Sequence, residues 1–436
     1  MDDTFFWILW GATLGLCGWK ILEGFRRPER MLEWPFIVCA IWSYFYGYMA
    51  YDVKTLLSDY LPPGTLTLGA LMPLLCLAGI LGGWKLGTAG ATRTQTQQRD
   101  YSLPQVWWVG MVLLLAGIIG ANFFLSSGAM GLDLQATSAY AYLSFYCGYP
   151  GLILAVWSAS KMSGANRMLF WTFTAVGIGV FMLPFFMGAR RGPLFPTAML
   201  LLVVPSLASR RAPNPLVFFS GLIVAGLLML LCLQIREAQR FSDSWSDVVR
   251  SLSITKAVQD RGQEVTDNEY LNNCALIAVM TQTGKYQYGS GHIGMFLHWI
   301  PRALWPNKPA LGEGWYSYEE LFDEVESFVG IRLIGGGAAA GGVADSFIQY
   351  GYFTPLFWFA LSWFIARIYA RARWGNDPRW LWAYAGIVCV SHWLISQAAA
   401  NAFVPGVVFV LVPLVVSILF RRVPHRAVPG SPMARP

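Results

Sequence analysis

The chain has 436 residues, of which 56% are hydrophobic and only 13% are charged, and its formal net charge is +7. Soluble domains have about 25% charged residues, so this composition excludes a soluble globular protein. The positive charge does not indicate nucleic-acid binding, because most cations lie in short loops where membrane orientation accounts for them.

Apolar segments of about 20 residues, long enough to cross about 30 Å of hydrocarbon as a helix, recur along the chain. We predict an all-α polytopic membrane protein with about eleven transmembrane helices. The predicted spans are residues 4–22, 34–51, 64–87, 104–126, 137–160, 168–187, 193–209, 215–235, 352–371, 380–400 and 402–420.

Lysine and arginine are concentrated on one side of this arrangement. One set of loops, with the C-terminal tail, contains 19 of the 31 Lys and Arg residues, whereas the opposite short loops contain only Lys54, Arg190 and Arg191. Because cytoplasmic loops are rich in Lys and Arg, we predict the N-terminus outside and the C-terminus inside. The acidic start, MDD, lacks the basic region of a signal peptide, so the first span is expected to stay uncleaved.

The predicted organisation has four parts. Residues 1–235 contain helices 1–8, residues 236–337 form one large periplasmic loop with interfacial helices, residues 338–420 contain helices 9–11, and residues 421–436 form a cytoplasmic tail. Within the loop, SWSDVVRSLSITKAVQD has the spacing of an amphipathic interfacial helix. LNNCALIAVM is too short to span and suits a buried or interfacial helix.

Arg190 and Arg191, in the sequence GARRG, lie on the side that is otherwise poor in cations. The flanking glycines leave the backbone open to close approach, and guanidinium groups match phosphate oxygens two at a time. The pair therefore predicts an anion site, with snorkelling of both side chains to the headgroups as the alternative. The further candidate diphosphate ligands are Arg236, Arg240, Arg302, Lys308 and Arg332.

These further cations also have simpler interpretations. Arg236 and Arg240 are four residues apart and share a helix face, so they also suit an ordinary helix end with an ion pair. Arg302 and Lys308 lie in WIPRALWPNKP, a stiff segment that also suits a turn at the membrane surface. The tryptophans predicted to stack on sugars are Trp299, Trp305 and Trp315.

Asp345 follows the glycine-rich segment GGGAAAGG at the start of the ninth span. This segment is either a flexible linker or a place where a phosphate or sugar approaches the backbone. A carboxylate at this depth is costly unless it is paired or functional, so Asp345 is the first candidate for a general base, with an arginine partner as the structural alternative. Glu237 and His298 are the next candidates. His292 is a further histidine of the loop, without an assigned role.

Metal and cofactor sites are not predicted. The sequence has no HExxH, CxxC, P-loop or GxSxG motif. Cys274 is the one cysteine in an outside loop, so we expect neither a disulfide nor a metal cluster.

Three segments in order, FFMGARRGPLFPTAMLLLV, WIPRALWPNKP and GGGAAAGGVADSFIQYGYFTPLFW, resemble the Wzy-type oligosaccharide repeat-unit polymerases. The resemblance covers about residues 180–360. Asp345 stands where that family often has Glu. The resemblance implies the architecture of the large membrane glycosyltransferases, with the active site at the periplasmic face of the bacterial inner membrane.

The resemblance further implies transfer of a glycan from undecaprenyl diphosphate to the non-reducing end of an incoming lipid-linked repeat unit. No cofactor or nucleotide sugar is expected, and metal independence is expected. The implied partners are lipid-linked oligosaccharide and membrane lipids, with a chain-length regulator as a further candidate. An O-antigen-ligase-like transferase is the nearest alternative. A lipid-linked oligosaccharide flippase is the alternative from another class, although the charges gather at the outer face and no inverted repeat is detectable. A membrane acyltransferase is a weaker third.

Overall fold

The computed structural model describes residues 2–56, 58, 61–90, 100–126, 139–187, 192–241, 268–297, 300, 304–305, 307, 318–329, 340–420 and 422–423. Regular structure in these ranges is helical apart from one antiparallel pair of two-residue strands, β1 (Asp100–Tyr101) and β2 (Arg422–Val423). The α-helices are α1 (Asp2–Arg26), α2 (Trp34–Trp42), α3 (Met49–Leu56), α4 (Thr65–Thr88), α5 (Leu103–Ser126), α6 (Ala139–Lys161), α7 (Gly164–Met187), α8 (Leu194–Ser209), α9 (Pro215–Phe241), α10 (Glu269–Thr283), α11 (Ser290–Leu297), α12 (Tyr318–Val329), α13 (Gly342–Tyr350), α14 (Thr354–Trp374), α15 (Pro378–Ser396) and α16 (Ala399–Val416).

The all-helical membrane class is confirmed at a coarse level. Six helical segments in the described ranges are long and apolar enough to cross a membrane: Thr4–Arg26, Thr65–Thr88, Leu103–Phe123, Gly164–Phe186, Gly342–Trp374 and Ala399–Leu419. Leu194–Ser209 and Pro215–Leu228 are shorter apolar helices. The count of eleven spans and their orientation stay predictions.

Glycines allow the central helices to pack closely. Gly79, Gly83 and Gly87 recur every four residues along one face of α4, and a Cβ at any of them would collide with the backbone of α14. Such stripes of small residues let the backbones of two membrane helices come close together. Because lipid tails are as apolar as the side chains, the helices associate through dispersion and polar contacts and not through the hydrophobic effect. The Ser362 hydroxyl donates a 2.7 Å hydrogen bond to the carbonyl oxygen of Ile80 in the same interface.

Contacts between the segments that connect the helices lie at the two ends of the helices. At one end, Arg210 donates to the carbonyl oxygen of Gly375 at 2.8 Å, and β1 pairs with β2. At the other end, the Asn268 amide donates to the carbonyl oxygen of Met49 at 3.1 Å. Each of these contacts joins two segments that the sequence predicts on the same side of the membrane.

The short helix α10 covers the LNNCALIAVM stretch and is buried along residues 270–280. The Asn268 side chain caps it by accepting from the backbone N–H of Tyr270 at 2.9 Å. Cys274 packs against Gly69 of α4, and burial raises the pKa of its thiol to about 12. The structure therefore shows a buried helix here, which is one of the two alternatives that the sequence left open, whereas SWSDVVRSLSITKAVQD lies outside the described residues.

The ninth predicted span is preceded by a separate helix. The sequence places Asp345 at the head of this span, but Asp345 lies on α13, which ends before Gly351. Gly351 has a φ of +55°, a conformation that glycine adopts without a steric cost, and the Thr354 hydroxyl donates to its carbonyl oxygen at 2.6 Å. The predicted span itself begins at residue 352, next to this break, but the apolar pattern did not predict α13 as a separate helix.

Candidate functional site

Asp345 is 1% exposed and lies on α13. Its Oδ2 atom accepts a 2.9 Å hydrogen bond from the backbone N–H of Ala399, the first residue of α16. A helix N-terminus presents unpaired N–H groups and the positive end of the helix dipole, and both stabilise an anion. The helix terminus therefore favours the ionised carboxylate, which joins α13 to the start of α16.

His292 of α11 is the second partner of this carboxylate. Its Nε2 atom lies 3.3 Å from Asp345 Oδ2, and its Nδ1 atom lies 2.9 Å from the hydroxyl oxygen of Tyr350. An ionised carboxylate only accepts hydrogen bonds, so Nε2 carries the proton and Nδ1 presents its lone pair to the phenol. A base oriented by a third group is the arrangement by which enzymes activate hydroxyl groups.

Backbone hydrogen bonds fix the segment before His292 onto the end of α13. The N–H of Gln287 donates to the carbonyl oxygen of Ile348 at 2.9 Å, and the N–H of Gly289 donates to that of Gln349 at 3.0 Å. The Gln349 side chain then accepts from the N–H of Gly291 at 3.1 Å. These bonds satisfy carbonyl groups that the end of a helix leaves free, and they bring His292 to Asp345.

Two glycines, Gly192 and Gly342, lie next to the same turn of α15. A Cβ added to Gly192, the last residue of GARRG, would lie 3.9 Å from Trp393 Nε1. A Cβ added to Gly342, at the end of GGGAAAGG, would collide with the carbonyl oxygen of Leu394. Since Trp393 and Leu394 are consecutive and α13 begins at Gly342, the end of the arginine loop and the Asp345 helix approach the same end of α15.

An aromatic rim, Tyr286 and Tyr288, follows α10 at this end of the molecule. Tyr288 is 79% exposed and has a φ of +48°, which is unfavourable for a residue with a Cβ. Burial and then the nearby Tyr352 raise the pKa of the Tyr286 phenol, so this group stays neutral at pH 7. A strained backbone conformation at an exposed residue is often retained where function needs the side chain in one orientation.

The structure describes only part of the predicted site. Trp305 is described and 37% exposed. Arg236, Glu237 and Arg240 lie on the backbone of α9, but their side chains are outside the described part. The predicted residues that lie outside the described ranges altogether are Arg190, Arg191, His298, Trp299, Arg302, Lys308, Trp315 and Arg332. An arginine partner for Asp345 therefore stays an open alternative.

Two residues of this site, His292 and Tyr350, had no role assigned from the sequence. Asp345 and His292 are 53 positions apart, and no sequence spacing joins them. One usable signal was GSGHIG, which puts a histidine between glycines in the outside loop.

Among the described ranges, no group of three or more His, Cys, Asp or Glu side chains could hold a metal ion. Metal independence stays a prediction from the resemblance. The chain matches no protein-family model, no curated protein and no solved structure.

Proposed function

We propose that this protein is a membrane glycosyltransferase that transfers a glycan from undecaprenyl diphosphate onto the non-reducing end of a lipid-linked repeat unit. The observation that carries the proposal is the contact between the buried Asp345 carboxylate and His292 at the end of α15 where Gly192 also lies. The proposed site faces the periplasm of a bacterial inner membrane.

The acceptor half of this reaction needs a base, because a sugar hydroxyl must lose its proton as it attacks the anomeric carbon. Asp345 is too buried to touch a sugar, so we assign it a positioning role. It holds His292 in one tautomer and stabilises the imidazolium that forms when the proton arrives. This arrangement supports acid–base chemistry at a hydroxyl group.

The donor half needs cations, because the departing diphosphate gains negative charge as the glycosidic bond breaks. Arg190 and Arg191 immediately precede Gly192 in the sequence, and a Cβ added to Gly192 would lie 3.9 Å from Trp393 Nε1 near the end of α15. Guanidinium groups at this position would stabilise the leaving group without reorganisation. The exposed ring of Tyr288, beside the half-buried Tyr286, offers an apolar face for the sugar units.

The test is a reconstituted assay with lipid-linked repeat units as both donor and acceptor. We expect a ladder of longer glycans on undecaprenyl diphosphate, together with release of one undecaprenyl diphosphate for each bond formed. The Asp345→Asn protein is the matched control. Transfer to a different lipid without a ladder would identify a ligase. Movement of the lipid-linked unit across the bilayer without release of undecaprenyl diphosphate would identify a flippase.

A further inference from the structure

The three hydrogen-bonded side chains, those of Asp345, His292 and Tyr350, differ in solvent exposure. Asp345 is 1% exposed and His292 is 9% exposed, whereas Tyr350 is partly exposed. His292 also uses both ring nitrogens, one for Asp345 and one for Tyr350. An incoming hydroxyl can therefore meet Tyr350 first, and it reaches His292 Nδ1 only by displacing the phenol.

We propose that the Tyr350 hydroxyl is the group that contacts the acceptor sugar, and that it relays the acceptor proton to His292. This proposal rests on the proposed glycan transfer. It adds a catalytic residue to that reaction and leaves Asp345 with a positioning role. Asp345, His292 and Tyr350 together are named the relay.

The direction of the hydrogen bonds supports the relay. The N-terminus of α16, whose Ala399 N–H donates to the Asp345 oxygen that faces His292, favours the ionised carboxylate, which has no proton to give. His292 must then donate through Nε2 and accept through Nδ1. The Tyr350 hydroxyl donates its proton to Nδ1 and keeps its oxygen lone pairs for a second hydroxyl group.

In the proposed transfer step, the acceptor O–H bond breaks as its proton moves to the Tyr350 oxygen, while the phenol proton moves to His292 Nδ1. The acceptor oxygen forms a bond to the anomeric carbon, and the bond from that carbon to the diphosphate oxygen breaks with its electron pair on the leaving group. His292 becomes an imidazolium beside the Asp345 carboxylate, and it later passes this proton through Tyr350 to water, which restores the neutral imidazole.

The protein fixes the ring of Tyr350 from two sides. Phe357 stacks on it with ring centroids 5.1 Å apart, and His292 meets its edge at 5.3 Å. Gly289 has a φ of +81°, and a Cβ there would lie 3.2 Å from Cε1 of Tyr350. The phenol therefore has little freedom to turn away, which suits a group that must transfer a proton at a defined distance.

The test compares Tyr350→Phe with Tyr352→Phe in the reconstituted assay. Both variants lose one hydroxyl and keep the ring, and Tyr352 is 60% exposed and lies two residues away. We expect Tyr350→Phe to lower kcat for chain extension about a hundred-fold or more, with the donor KM unchanged. Tyr352→Phe should match the wild type. Thermal unfolding of all proteins checks that each variant is folded.

A double variant separates a relay from an independent effect on structure. If Tyr350 and Asp345 act in one relay, Asp345→Asn with Tyr350→Phe should lose about as much kcat as the more damaging single variant. The relay would be overturned if the losses of the two single variants multiply in the double variant, or if Tyr350→Phe keeps the wild-type kcat. In both cases the wild type would still transfer glycan. Absence of chain extension in the wild type would instead reject the proposed function.

Discussion

Asp345 and Ala399 are 54 positions apart, yet the carboxylate of the first accepts a 2.9 Å hydrogen bond from the backbone N–H of the second. The same oxygen faces His292. One carboxylate therefore both terminates a helix and orients a histidine. Substitutions can separate these two effects.

We predict that Asp345→Asn folds but turns over slowly. The asparagine oxygen can take the place of Oδ2 and still accept from Ala399 and face Nε2, but the neutral amide cannot stabilise the imidazolium that forms when His292 takes up the proton. The rate of chain extension should fall about a hundred- to ten-thousand-fold. Reconstituted assays and thermal unfolding measure the two effects, and full activity in this variant would remove Asp345 from the reaction.

Asp345→Ala is the comparison for stability. It leaves the partly buried N–H of Ala399 without this partner, which costs at most about 1–3 kcal/mol. Its unfolding temperature should therefore lie below that of Asp345→Asn. Equal loss of folding in both variants would assign Asp345 a structural role.

The arginine loop offers a second prediction, with a control at the opposite end of the same helix. Arg190→Ala and Arg191→Ala should abolish polymer in cells at unchanged protein levels, and Lys should restore it only in part, because an ammonium cannot bind two oxygens as a fork. Arg210 and Arg211 follow α8 at its other end, where Arg210 bonds Gly375 and Asn376.

Arg210→Ala and Arg211→Ala should therefore keep polymer near the wild-type level, because exposed contacts of this kind contribute little. Immunoblots of protein and gels of polymer give both readouts. Normal polymer in the double variant of Arg190 and Arg191 would support snorkelling instead of anion binding.

Cysteine labelling tests the predicted orientation. Tyr288 is 79% exposed, and Arg211 is exposed at the other end of the layer, whereas Tyr270 is 2% exposed and cannot report its side. A membrane-impermeant maleimide should label Tyr288→Cys in intact cells and Arg211→Cys only after permeabilisation. The buried Cys274, whose pKa is raised to about 12, should stay unlabelled. Labelling of position 288 from the cytoplasm alone would reverse the site assignment.

The left-handed backbone of Tyr288 gives a stability prediction. At ordinary positions Ala is more stabilising than Gly by about 0.5–1 kcal/mol, but a Cβ in this conformation costs about 1–2 kcal/mol. Tyr288→Gly should therefore unfold at a higher temperature than Tyr288→Ala, although neither variant retains the ring. Scanning fluorimetry in detergent measures the difference, and the reverse order would contradict the left-handed conformation.

Local sequence patterns predicted the elements that depend on local physics. Apolar length predicted helices at the proposed spans, and the shortness of 271–280 favoured a buried or an interfacial helix, of which the structure shows the buried one. The glycine-rich segment before Asp345 drew attention to a carboxylate that is indeed buried with polar partners. The family resemblance and the activity have no comparable test and stay proposals.

The sequence could not predict relationships that depend on tertiary contacts. The predicted ninth span begins at residue 352, beside the break at Gly351, but the apolar pattern did not predict the separate helix α13 before it. His292 meets Asp345 only because hydrogen bonds fix residues 287–291 onto the end of α13. The aromatic rim consists of the exposed Tyr288 and the half-buried Tyr286, which no periodic pattern distinguishes from other loop tyrosines.

The dependence of Asp345 on Ala399 also has a consequence for biosynthesis. During synthesis, residue 345 enters the membrane before residue 399 exists, so the carboxylate has neither its helix terminus nor the electrostatic field that favours its charge. In the proposed reaction, the carboxylate can therefore orient His292 only after α16 has been inserted. A nascent or truncated chain that ends before residue 399 should accordingly be inactive in the proposed transfer.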